Sequence, residues 1–186
     1  MRRHQQAFTL IELMITIGIL AIVLAAAVPA LSQSVRNVRL SSLISDLTTS
    51  VTYARSEAVK RSRRVVICRA NAARDNCDYG GGNWSAGWLI FVDSAASDTA
   101  TPVYGAANLL RISDVPPSGS TINGRSGVAG RGWVRYSSIG TLARASASTD
   151  VFSWDVSLAN AAPERARTVQ IGLAGRPSIC KGAVCE

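Results

Sequence analysis

Glu12 is the residue whose setting most demands chemistry. It is the single charge in the run FTLIELMITIGILAIVLAAAVPA, residues 8–30. A carboxylate in the middle of a membrane costs about 2.5 kcal/mol or more and is kept where it has a use. Its natural complement is a cation that another chain brings into the same apolar layer. The cysteines are the second set. Cys68 with Cys77 and Cys180 with Cys185 make an even count in two locally spaced pairs, as short-loop disulfides do in an oxidising compartment. Crossed pairing stays open on spacing alone. A zinc site would want spacers of about two to four residues on both sides, whereas eight residues separate Cys68 from Cys77. The one histidine, His4, lies at the extreme N-terminus. This argues against a His-based triad, a His-ligated metal and most general-base chemistry near neutral pH.

The remaining candidates are weaker. The glycine-rich YGGGNW, 79–84, lacks the Lys-Ser or Lys-Thr pair and the following helix of a phosphate loop. The acidic DSAASD, 93–98, offers two carboxylates, few for calcium with its six to eight or so oxygens, and reads as a turn. No serine sits in a nucleophile elbow. Trp84, Trp88, Trp133 and Trp154 are expected in the core or at its rim. No catalytic residue, metal ligand or cofactor is therefore assigned, and the chain is not expected to be an enzyme.

The net charge is +8, from 20 basic and 12 acidic side chains. Such a balance suits nucleic acid or acidic partners, and equally a solvated basic face. Lys60, Arg61, Arg63 and Arg64 cluster where cations favour a helix C-terminus. Arg125, Arg131 and Arg135 add charge in a Gly-rich stretch expected to be exposed.

These residues need elements to hold them. Residues 1–7, MRRHQQA, are polar and basic. The apolar run that follows gives roughly 34 Å of helix, enough for a hydrocarbon core of about 30 Å, with Arg2 and Arg3 held on the cytoplasmic side. It is longer than the apolar region of an ordinary secretory signal. Beyond Pro29, Leu40, Leu43, Leu47, Val51, Ala54 and Ala58 recur at three- and four-residue steps, and no Gly or Pro falls between Ala30 and Arg64. One helix is predicted from Phe8 to Arg61. From Val65 the pattern becomes β: VVIC, WLIFV, LLRIS, WVRYS, VFSWDV and TVQIGL are short strands in sequence. GGGNWSAGW and PPSGSTINGRSGVAGRG read as loops or hairpin turns. The expected organisation is 1–7, a leader; 8–30, a transmembrane helix; 31–64, its amphipathic continuation; and 65–186, an α+β fold's antiparallel β domain packed on that continuation.

QAFTLIELMITIGILAIVLAAAVP resembles the class III signal of type IV prepilins and type II secretion pseudopilins. The resemblance implies cleavage between Ala7 and Phe8 by a prepilin peptidase that also N-methylates Phe8. It makes Glu12 the fifth mature residue, the family's assembly Glu, and puts Pro29 at the family's helix-bending position. Ala7 departs from the usual Gly. YARSEAVKRSRRVVIC, the Cys68 and Cys77 pair with WSAGWLIFVD, VRYSSIGTLA and VQIGLAGRPSIC are similar to the GspH/FimT group of minor pilins and pseudopilins. For that group the resemblance implies an inner-membrane protein with its C-terminal domain in the periplasm, partnered by other minor pilins or pseudopilins and the major pilin. The function implied is a minor pilin that helps initiate, and joins the tip of, a type IV pilus. The alternatives are a type II secretion pseudopilin and a pilus-borne DNA receptor. For the last, Arg176 and Lys181 are the candidate contacts, with Pro177 and Ser178 where a second Arg is expected.

Overall fold

A computed structural model describes residues 9–143, 150–159 and 166–182, and within the helix leaves aside the side chains of Ala26, Val28, Pro29 and Ala30. The chain divides into two units, Met1–Val38 and Arg39–Glu186. Helix α1 (Leu10–Arg61) starts where Thr9 Oγ1 accepts the Glu12 N–H at 3.3 Å, an N-cap bond. It ends in a Schellman turn: Arg63 N–H reaches Ala58 O and Ser62 N–H reaches Val59 O, both at 3.2 Å, with Ser62 at φ 49°. Ser62 fills a position that usually falls to glycine.

Among the described residues nine strands follow, in two antiparallel sheets. The first has the order β3 (Leu109–Ile112), β2 (Trp88–Val92), β1 (Val65–Arg69), β6 (Trp133–Tyr136). The second has the order β5 (Ala129–Gly130), β4 (Ser120–Ser126), β7 (Phe152–Leu158), β8 (Arg167–Ile171), β9 (Pro177–Lys181). Pairing of β1 with β6 and of β4 with β7 makes this more than a meander of neighbours. Within the unit Arg39–Glu186, the α1 face Leu40, Leu43, Leu47, Val51, Ala54 and Ala58 shares one core with Val65 and Ile67 of β1 and with Ile122, Trp154, Val156 and Val169 of the second sheet. Trp88 Nε1 donates to Ser50 Oγ at 2.9 Å inside that core and fixes the helix against β2.

The first sheet is covered on both faces. Val66, Cys68, Leu89, Phe91 and Trp133 form a second cluster on its far side. This is why VVIC and WLIFV are continuous apolar runs rather than alternating ones. The Cys68–Cys77 disulfide closes its loop there with Cα atoms 5.7 Å apart. All four tryptophans are buried.

Two expectations change. PPSGSTINGRSGVAGRG holds strand β4 and its hairpin partner β5 as well as turns. Its inward positions are Ile122 and Gly124, and a Cβ at Gly124 would overlap the Trp84 indole. The strand thus lacks the apolar alternation that marks its neighbours. Arg135, expected to be exposed, is fully buried.

Candidate functional site

At the start of α1 every described side chain from Thr9 to Ala25 is exposed. Leu10, Ile11, Leu13, Met14, Ile15, Ile17, Ile19, Leu20, Ile22, Val23 and Leu24 lie on all sides of the helix, from 79% exposed at Leu10 to 51% at Leu24. No turn of this segment offers a polar face to water and an apolar face to a core. Glu12 sits in its first turn, where the positive end of the helix dipole favours a carboxylate. Among the described residues that carboxylate has no ion-pair partner. Among the described residues, too, no helix is long and apolar enough to cross a membrane. The run predicted to do so also includes Phe8 and the side chains of 26 and 28–30, outside the description. Ala7 and Phe8 lie outside the described residues; Pro29 falls within α1.

Several charges of the folded unit have partners. Glu57, nearly buried on the helix, pairs with Arg61 at 2.5 Å and Lys60 at 3.9 Å. Arg64 pairs with Asp98. Asp78 is held below the ordinary carboxylate range, first by the hydrogen bond from Arg69 and then by the Gly80 N–H. Arg125 pairs with Asp155 at 2.8 Å. Arg131 stands over the Trp133 ring, its Cζ 3.9 Å from the centroid, its pKa lowered by burial and by neighbouring Arg135.

The most elaborate of these is a centre that sequence reasoning missed. Arg135 Nη2 stands 2.6 Å from Asp93 Oδ2 with both side chains wholly buried, close as an ion pair though out of hydrogen-bond alignment. Arg135 also donates to the carbonyls of Ser97, Asp98 and Ala100. Asp93 Oδ1 accepts the N–H groups of Ala95 at 3.0 Å and Val103 at 2.9 Å. The pair pins the loop 93–103 over the outer face of the first sheet. DSAASD is thus a structural turn whose first carboxylate serves an internal arginine. No group of His, Cys, Asp or Glu able to hold a metal occurs among the described residues.

Arg176 and Lys181 are both exposed, just before β9 and at its last residue. Five positions separate them along an extended edge strand, roughly 17 Å at an antiparallel rise. An odd separation also turns them to opposite faces. The fold therefore does not bring them together; Lys181 instead stands across from Arg167. Cys180 is disulfide-bonded, and Cys185, its expected partner, lies outside the described residues.

The family of type II transport protein GspH matches residues 43–175, well over half the chain. The chain belongs to the GspH family. The prokaryotic N-terminal methylation motif matches residues 2–28 of this GspH-family member. No curated protein sequence matches it. Its fold resembles the crystal structure of the type IV minor pilin FimU from Pseudomonas aeruginosa, with 22% identity and a TM-score of 0.52 over 75% of this chain and 87% of that one. A second crystal form of FimU gives a TM-score of 0.49 at the same identity, over 75% of this chain and 90% of that one. The long N-terminal helix, packed through its second half on antiparallel sheets, is the α+β type IV pilin fold.

Proposed function

We propose that this GspH-family chain is a pilin-like assembly subunit. It is cut between Ala7 and Phe8 by a prepilin peptidase that also methylates Phe8. It then spans the inner membrane once, with its β unit in the periplasm, where the Cys68–Cys77 bridge suits an oxidising compartment. One observation carries this reading. The N-terminal part of α1 exposes large apolar side chains on every side and a single carboxylate in its first turn. Such a helix is at rest only in lipid or among other apolar helices. The Glu12 carboxylate takes as its partner the Phe8 amine of a neighbouring subunit in the same layer.

The subunit then joins other minor pilins and the major pilin, helps initiate a type IV pilus and sits at its tip. A second reading, a pseudopilin of a type II secretion system, is supported by the family itself, that of type II transport protein GspH. Gene deletion separates the two: loss of surface pili with exoprotein secretion intact favours the first, and the reverse favours the second. Glu12→Ala tests the shared core. The variant should reach the membrane at normal abundance and fail to enter filaments. Normal incorporation would overturn the role given to Glu12.

A further inference from the structure

The stretch LSQSVRNVR, residues 31–39, lies after the apolar run and before Leu40, the first of the described side chains that α1 buries in the core. Leu31, Val35 and Val38 follow one another at four- and three-residue steps, so they share one side of the helix. They are 68%, 42% and 67% exposed. Arg36 and Arg39 each follow a member of that stripe by one position and stand three apart, so they flank it together. No carboxylate occurs between Glu12 and Asp46. An apolar stripe edged by arginines, on a helix segment without acid, has the composition of a helix lying at an anionic membrane surface.

We propose that residues 31–39 form a lipid-contact site at the outer face of the membrane. Arg36 and Arg39 hold the phosphates of anionic phospholipids, and Leu31, Val35 and Val38 sit at the boundary between headgroups and acyl chains. This rests on the membrane reading given above. The distances suit it: at 1.5 Å per residue, Arg36 and Arg39 stand about 9 Å and 14 Å beyond Ala30 along the helix axis. The polar layer of each leaflet is roughly 5–8 Å deep. Helical side chains tilt toward the N-terminus, and arginine is long enough to reach back across the remainder. Asp46, about 24 Å beyond Ala30, is out of range. Processing sharpens the asymmetry, because removal of 1–7 takes away Arg2 and Arg3. Arg36 and Arg39 then become the cationic side chains nearest the apolar run. A second copy of the helix packed at the same level would set cation against cation, which favours lipid as the occupant.

The test uses the full processed chain reconstituted into vesicles of phosphatidylcholine alone or mixed equally with phosphatidylglycerol. The protein is then released for native mass spectrometry, and the retained lipids are identified. Phosphatidylglycerol should be retained over phosphatidylcholine by roughly fivefold. Arg36→Gln with Arg39→Gln should bring the two near parity. Arg111→Gln, which removes an exposed arginine of β3, should leave the preference unchanged. Equal retention by the unmutated chain, or an undiminished preference in the double variant, overturns the proposal alone. Failure to insert into either vesicle overturns the membrane reading and the proposal with it.

Discussion

The two ends of α1 have opposite relations to the rest of the chain. From Leu10 to Leu24 its large apolar side chains are exposed on all sides, and the one carboxylate has no ionic partner among the described residues. From Leu40 to Ala58 one face is buried almost completely, and Glu57 beside it is paired twice. Both segments are helical by the same backbone bonds. What differs is burial: the second half buries one face within its own unit, and the first half leaves its described side chains from Leu10 to Ala25 exposed. The same contrast holds for Glu12 and Asp93. Asp93 is buried deeper than any other carboxylate described, yet it has Arg135 and two backbone N–H groups.

The largest expected effect comes from breaking that internal satisfaction. Asp93→Ala leaves the Arg135 guanidinium buried without its counter-charge and should cost about 4 kcal/mol. Denaturant unfolding of the full chain in detergent measures it through tryptophan fluorescence, since all four tryptophans lie in the unit Arg39–Glu186. A loss below about 1 kcal/mol, the level of a surface pair, would mean that Arg135 reaches solvent.

Next in size is a matched pair of truncations in α1. Leu47 is 1% exposed, and Leu47→Ala should destabilise the folded unit by about 3 kcal/mol. Leu13→Ala removes the same atoms from the other half and should change unfolding of that unit by less than about 0.5 kcal/mol. Equal effects would erase the distinction between the two halves.

The smallest effect is in pH. Asp78 binds its proton less tightly folded than unfolded, because Arg69 and the Gly80 N–H hold the charged form. Its contribution is present in full above its ordinary value of 3.8 and is lost as pH falls through the lower folded value. Asp78→Asn should therefore lower stability slightly at neutral pH, leave it unchanged below the folded value, and so flatten the acid limb of the profile. Its carboxylate is 42% exposed, so solvent screens most of the effect. A change in the slope of the profile near pH 7 would point to a different group.

Much of this was legible in the residues. A Gly- and Pro-free stretch with three- and four-residue apolar spacing marked the second half of α1, and its periodicity named Leu40, Leu43, Leu47 and Val51 as core. Strands β1 and β2 announced themselves as continuous apolar runs because the first sheet is covered on both faces. Strand β4 did not, since its inward positions are one isoleucine and a glycine that gives way to Trp84. Nor did the Arg135–Asp93 centre: an arginine carries no local mark of a partner distant in sequence. A signal was present, though. Arg135 alternates with Val134 in a strand whose far side also bears Trp133, so an arginine there had to find a buried counter-charge. The processing site at Ala7 and Phe8 came through resemblance, and its test is chemical.

That test is the mass of the N-terminal peptide from membrane-purified protein. The account predicts a chain that begins at Phe8 with one methyl group on its amine, the apolar run intact behind it. An N-terminus near Pro29, left by ordinary signal peptidase, would remove Glu12 and the exposed helix together and contradict the account.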